Sequence, residues 1–404
     1  MSTSDGRFRA VDLDRGTNQN GVRLYNERLV LSLVRRNGAM PKAELARLTG
    51  LSAQTISVIV TQLASDGLVK RQAPQRGRVG QPSVPFALNP DGAYAFGLKI
   101  GRRSADLVLI DFLGRVRRRV HTAYPYPLPE ALIEFAVSGM ERMSTNLTEA
   151  ERQRITGLGV AAPYQLWNWA YEVGSPPGAL EIWRSTDIRR DLEAILPWPV
   201  YLCNDATAAC AAELVFGDKG GLRDFVYLFV GSFIGGGLVM NGALVPGTGG
   251  NAGAIGSMPV PGANGQMQQL IRRSSLYLLE SRLMQAGKES GWLWSDPDSW
   301  TEAGEEVDEW IQIAAEGIAH AVTSATSVYD FPAVVIDGAF PVAVRERLVA
   351  AVTTALDRHD RQGLSPVTVL PGSIGAGARE IGGASLPFFA NFAMDREVLL
   401  KESA

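Results

Sequence analysis

The sequence predicts a mixed α/β protein with a small, mainly helical head at its N-terminus and a larger body of strands and helices behind it. Three observations point there. Apolar residues recur at helical spacing through residues 24–63, with breaks at Gly38 and Gly50. From Ala95 onward, short β-rich stretches alternate with glycine turns and longer helical patterns. Charge also divides the chain: residues 1–90 hold 13 Lys/Arg against 6 Asp/Glu, and the rest holds 26 against 36. A basic head on an acidic body suits a nucleic-acid-binding module whose larger companion is kept off the phosphates.

With 404 residues and 46% hydrophobic content, the chain has material for two or three domains. Two cysteines and three histidines are too few for a disulfide framework or a Cys/His zinc site. No apolar run reaches the length of a bilayer span, and "MSTSDGRFRAVDLDRG" lacks the apolar core of a signal peptide. The expected address is the cytoplasm, with no membrane partner.

In the head, "NGVRLYNERLVLSLVRRNG" places Leu24, Leu29 and Leu33 on one helical face and stops at Gly38. "PKAELARLTG" is a short helix opened by Pro41 and closed by Gly50, and Ser52 is placed to cap a third helix. In that third helix Ile56, Ile59, Val60 and Leu63 face inward, which leaves Gln54, Thr55, Ser57 and Thr61 for the outer face. Helix, four-residue turn, helix is the helix-turn-helix pattern, and Ser52, Gln54, Thr55, Ser57 and Thr61 are its expected DNA-contacting residues.

"LVKRQ" and "SVPFAL" read as two short strands around "APQRGRVGQP". This is a wing whose tip, with Arg76 and Arg78 flanking Gly77, is suited to phosphates or a narrow minor groove. The expected head spans residues 1–90.

The body opens with a strand from Ala95 to Ile100, a turn at Gly101, a strand from Ala105 to Asp111 and a turn at Gly114. Four further stretches follow: "ITGLGVAAPY", "PVYLCNDATAACAAELVFG", "FVYLFVGSFIGGGLVMNGALVPGTGGNAGAIGS", and the pair "AVVIDGAF" and "SIGAGAREIGGASLP". In content and order these resemble the ROK family of repressors, open reading frames and sugar kinases. The resemblance implies a two-lobed actin-like, ribonuclease H-like fold behind a winged helix-turn-helix. It places the lobes at residues 91–215 and 216–404, with the C-terminal helix returning to the first.

The resemblance also implies which residues would carry chemistry. Family kinases have an Asp and small residues in the first turn, where this chain has Lys99, Gly101, Arg102, Arg103 and Ser104. The missing carboxylate would have anchored hydrated Mg²⁺, and Arg102 is bulky where phosphate needs close backbone approach. Phe233 stands where the second turn usually has glycine. Asn204 and Asp205 match the family's pair, in which the Asp bonds a sugar hydroxyl and, in kinases, acts as the base; capping of the following helix is the plainer role for Asp205, and the two are compatible.

In the "NAGAIGS" loop, Ala254 and Ser257 replace the family's sugar-binding Glu and its sugar- and zinc-binding His. The zinc segment reads "PGANGQMQQLIRRSS", without Cys, His or acid. Loss of the Glu and His contacts weakens an ordinary hexose by about a hundredfold. Asn204, Asp205, Asn251, Ala254 and Ser257 are therefore the expected effector-binding positions, with Gln165, Trp167 and Trp169 as compensating candidates.

The expectation is a ligand-responsive transcriptional regulator, a repressor of carbohydrate-related genes that leaves double-stranded operator DNA when a small sugar-like effector binds. No catalytic residue, metal or cofactor is assigned, and a homodimer or homotetramer is expected. Two alternatives stand beside it: an active ATP-dependent sugar kinase with a DNA-binding head, and a ligand-independent DNA-binding oligomer.

Overall fold

The computed structural model describes residues 19–74, 83–169, 175–218, 221–295, 300 and 304–393. They pack into two compact units. The first holds the described residues up to Leu202 and those from Gly383 on; the second runs from Cys203 to Gly382.

The head begins with α1 (Gln19–Asn37), α2 (Lys42–Thr49) and α3 (Ala53–Ser65). Val30, Leu31 and Val34 of α1, Leu45 of α2, and Ile56, Ile59, Val60 and Leu63 of α3 form its core. In α1 the inward stripe is thus rotated from the expected one, and Leu24, Leu29 and Leu33 are only half-buried. Gly50 ends α2 in the left-handed region (φ 71°), and the Ser52 hydroxyl accepts from the Thr55 amide to start α3. Three residues, not four, therefore separate the helices, because the cap lets Ala53 begin the next one.

Three short strands complete the head: β1 (Met40–Pro41), β2 (Val69–Arg71) and β3 (Pro85–Leu88), in the order β1-β3-β2. β2 and β3 pair antiparallel as a wing requires. Arg76 and Arg78 of the expected wing tip lie outside the described residues.

The head is bonded to the rest of the first unit. Arg35 donates to the Phe112 carbonyl (2.8 Å) and Arg28 to that of Ala390 (3.4 Å), while Arg154 reaches the Gly92 carbonyl (3.1 Å) and that of Asp66 (3.4 Å). Burial pulls the Arg35 guanidinium down to about 10, against the pull of Asp111, so it stays charged at neutral pH.

The sheet of the first unit contains β4 (Tyr94–Ile100), β5 (Ser104–Asp111), β6 (Val116–Ala123), β7 (Ile155–Ala162) and β8 (Val200–Asn204), in the order β6-β5-β4-β7-β8. β4, β5 and β6 are antiparallel neighbours, and β4 runs parallel to β7. The edge strand β6 carries exposed arginines, which guard against edge-to-edge pairing.

The second unit repeats this plan with β9 (Phe225–Val230), β10 (Ile234–Met240), β11 (Ala243–Leu244), β14 (Ala333–Gly338) and β15 (Thr368–Pro371), in the order β11-β10-β9-β14-β15. A separate hairpin, β12 (Pro259–Pro261) with β13 (Met267–Gln269), lies between them in sequence. Each main sheet is a meander of three strands whose first strand also pairs in parallel with a fourth, so the two units share one strand order. Among the described residues no helix is long and apolar enough to cross a membrane.

Candidate functional site

Two regions hold the residues singled out by sequence: the outer face of α3, and the turns at the ends of the two main sheets.

On α3 the side chain of Gln54 is exposed, but the four hydroxyl residues are committed within the head. Ser52 is the helix cap, and its hydroxyl also lies 2.8 Å from that of Thr55. Ser57, half-buried, lies 3.0 Å from the Lys42 ammonium, which also sits over the Phe86 ring. Thr61 donates to the Ser57 carbonyl at 2.7 Å. The outward-facing set is therefore narrower than the spacing suggests. Lys42 is the partner that spacing does not reveal: it is 15 residues from Ser57 in the chain, and only the fold of α2 against α3 brings the two together.

In the first unit, Lys99 is 5% exposed near the end of β4. Its ammonium lies 2.9 Å from an Asp106 carboxylate oxygen and 3.1 Å from the Ser104 hydroxyl. The other Asp106 oxygen lies 2.8 Å from Nδ1 of His121. Register explains the set, since Lys99 faces Asp106 across β4 and β5, and Asp106 faces His121 across β5 and β6. Burial pushes the Asp106 carboxyl upward, but Lys99 and the His121 hydrogen bond outweigh it and hold the group below its ordinary range. The Lys99 charge is thus already balanced by a neighbouring strand. Arg102 is half-buried in the adjoining turn.

In the second unit, the glycines of β10 let two elements close on opposite faces of one strand. A Cβ on Gly235 would come within 2.7 Å of Ala206, and one on Gly237 within 2.6 Å of Cys210, both on the helix Asp205–Phe216. A Cβ on Gly236 would meet Ile255 at 2.8 Å and the Gly253 carbonyl at 3.1 Å. Ala254 and Ser257 are exposed on this 253–257 loop, and Asn251 just before it is exposed too. The same close packing puts the helix Asp205–Phe216 in the second unit, although the expected lobe boundary at residue 215 assigned it to the first.

Asn204, rather than Asp205, caps that helix, with its side-chain oxygen accepting from the amides of Ala206 (3.0 Å) and Thr207 (3.3 Å). Asp205 is the first helical residue: one oxygen accepts from the Ala206 amide at 2.9 Å, and the other lies 3.5 Å from Nη1 of Arg379. The Arg379 guanidinium lies over the Phe229 ring, 4.9 Å from its centroid, and its Nε is buried without a hydrogen-bond partner. A carboxylate facing a cation at this distance keeps capacity for a further hydrogen bond, since charge-assisted bonds close to about 2.7–2.9 Å when made fully. Arg379 has no counterpart among the residues expected from sequence, because nothing in "AGAREIGG" ties it to a residue 174 positions away. The described hydrogen bonds of Asp205 do not include Asn251, Ala254 or Ser257.

Phe233 turns its ring onto Tyr277, with centroids 5.6 Å apart, in the turn closed by the Gly231 amide and the Phe233 carbonyl. In the segment that corresponds to the family's zinc segment, the β12–β13 hairpin closes on itself: the Gly262 amide donates to the Gln266 carbonyl at 2.7 Å, and the Gln266 amide to the Asn264 side chain at 3.1 Å. Among the described residues there is no group of three or more His, Cys, Asp or Glu able to hold a metal ion. Trp300 is buried against Trp292 and Phe340, a packing role. Trp167 carries Arg184 on its ring face, and Gln165 accepts from Asn168 nearby.

Comparison with known proteins agrees with this geometry. Residues 95–270 match the ROK family and residues 25–78 the MarR family. An uncharacterised protein, y4fQ, of Sinorhizobium fredii is 26% identical over 378 residues, 91% of each chain. The xylose repressor of Bacillus subtilis is 24% identical over 242 residues, covering 60% of this chain and 62% of that protein. Among solved structures, a ROK family transcriptional regulator described as a homologue of the Escherichia coli MLC protein superposes with a TM-score of 0.65 at 17% identity, covering 92% of this chain and 98% of that one. The helix-turn-helix head, the doubled strand plan and the glycine strand of the second unit give the chain the fold of the ROK family transcriptional regulator it superposes on, and its residues 95–270 match the ROK family.

Proposed function

We propose that this protein is a ligand-responsive transcriptional repressor of carbohydrate-related genes. The head binds double-stranded operator DNA as part of a homodimer or homotetramer in the cytoplasm, and a small sugar or sugar derivative releases it. The observation that carries this reading is the combination, in one chain, of a helix-turn-helix head bonded to a body whose first hairpin holds the Lys99–Asp106 pair. The similarity to a xylose repressor supports carbohydrate control in particular. Helix-turn-helix proteins read paired half-sites as dimers, so the rest of the chain would supply the symmetric contact. An effector acts only through its different affinities for the bound and released states.

The kinase alternative is disfavoured by the same turn. Phosphoryl transfer needs cations and backbone donors free to hold phosphate, and a carboxylate to take the hydroxyl proton. Lys99 is instead spent on Asp106 and Ser104. Asp205, the one carboxylate placed as the family's base, faces Arg379.

Thermal-shift screening of the full chain against sugars, polyols and sugar acids tests the reading, since a ligand of the folded state raises the melting temperature. A stabilising compound should also release the protein from operator DNA in a mobility-shift assay. ATP-dependent phosphorylation of that compound by the pure protein would overturn the proposal in favour of the kinase. DNA binding indifferent to every stabilising compound would favour the ligand-independent oligomer.

A further inference from the structure

Five residues of α3 are exposed, and four of them, Gln54, Val58, Thr61 and Ser65, fall at successive spacings of four, three and four. They form one stripe along the helix. Val58, at its centre, is 64% exposed.

Nothing inside the head accounts for a valine there. The core is supplied by Ile56, Ile59, Val60 and Leu63 on the opposite side. Helix propensity argues against it too, since a β-branched side chain loses rotamer freedom in a helix and long polar residues do better at exposed positions. The helix carries no charged residue. The exposed basic groups stand beside it, with Arg47 on α2 and Lys70 and Arg71 on β2. That is the distribution expected of a helix that reads base edges while its neighbours hold phosphates.

We propose that Val58 is a specificity-determining residue that packs on the C5-methyl group of a thymine in the major groove. The proposal rests on the reading of the head as DNA-binding. Methyl contact is how apolar side chains distinguish thymine from the other bases, and only the major groove displays that group. Gln54, one turn earlier and exposed, offers the side-chain amide that pairs with the N6 and N7 edge of adenine. The two are four residues apart, roughly 6 Å along the helix, or about two base steps of the duplex. The Thr61 hydroxyl is bonded back to the Ser57 carbonyl, so its methyl group is what remains to extend the apolar contact. The half-site should therefore present an adenine and, about two steps away, a thymine that is recognised through its methyl group.

The test uses the full chain and the tightest duplex recovered from a randomised library by the wild-type protein. Each thymine of that duplex is replaced in turn by deoxyuridine, which removes only the C5-methyl group. One thymine per half-site should lose about fourfold in affinity on replacement, the factor that burial of a single methyl group carries. Val58→Ala should bind the thymine and deoxyuridine duplexes equally, and Val58→Thr, which keeps one methyl at the position, should retain part of the discrimination. Matching melting temperatures of the variants would confirm that the fold is intact. Discrimination that persists in Val58→Ala, or is absent at every thymine, would overturn the proposal while leaving the head a DNA reader. Failure of the library to yield any enriched sequence would overturn the DNA-binding reading and the proposal with it.

Discussion

The two main sheets have the same strand order, yet the turn that opens each has been filled in a different way. In the first unit the strands beside the β4–β5 turn carry a charged row, Lys99, Asp106 and His121. In the second, β10 keeps Gly235, Gly236 and Gly237, so that a helix and a loop close on it without side chains between. A repeated topology therefore fixes where a turn lies, and the side chains in it decide what the turn can hold. One unit fills this region with an internal ion pair, whereas the other leaves its backbone bare for packing.

The largest effect that would sharpen this contrast is expected from Gly236→Val. Two of the three atoms its Cβ would meet are backbone carbonyl oxygens, of Tyr227 and Gly253, which cannot swing away. A loss of about 3 kcal/mol, the upper part of the overpacking range, should appear as a fall of roughly 6–12 °C in melting temperature. Arg103→Val, exposed in the opening turn of the first unit, should stay within about 0.5 kcal/mol of wild type. Equal losses in the two would break the contrast.

Lys99→Met comes next, because it leaves the Asp106 carboxylate, only 16% exposed, without its cation. With allowance for that residual solvent contact and for His121, the cost should be about 2–3 kcal/mol by urea denaturation. Adding Asp106→Leu to Lys99→Met should recover at least half of it, and a double-mutant cycle isolates the pair. Simple additivity would show that the row carries no coupling.

Asp205→Asn tests the second unit as a binding site. It preserves size but removes the charge facing Arg379, so the affinity of whichever compound stabilises the wild type should fall by about ten- to a hundredfold. Operator binding without that compound should survive. An unchanged affinity would move the site away from this carboxylate, toward the loop that bears Gln165 and Trp167.

The smallest effect concerns pH. The Asp106 carboxyl is held below its ordinary range in the folded protein, so its contribution to stability is complete above the unfolded value, near 3.9, and is lost as pH falls through the folded value. Melting temperatures measured from about pH 6 down to pH 3 should fall less steeply for Asp106→Asn than for wild type. Parallel curves would remove Asp106 from the account of acid sensitivity.

Much of this arrangement was legible in the sequence, because the signals were local. Ser52 as a cap, Gly50 as a stop and the core stripe of α3 follow from spacing alone, and the structure has them in place. What escaped were pairings between residues far apart in the chain. The spacing of α3 frees Ser57 and Thr55, but a lysine of another helix and the cap of α3 itself engage them. The spacing offers Asp205 a capping role beside ligand contact, and the capping belongs to Asn204. Arg379 had no local signal at all. Sequence patterns report what a residue can do for its own element, while a site is made by what other elements bring to it.

Arg28 and Arg35 of the head donate to carbonyl groups of the final helix and of Phe112 after β5, and Arg154 of the sheet region donates to the Asp66 carbonyl of the head. That helix, Ala378–Phe392, starts in the second unit and ends in the first. Anyone grafting this head onto another sensor would therefore cut through an interface, not a linker. A fragment ending near residue 90 would expose the Arg35 guanidinium and strip α1 of the groups that hold it. The portable piece is the head together with the sheet and terminal helix that grip it, and chimeric regulators built at that seam should keep their operator grip where shorter fusions lose it.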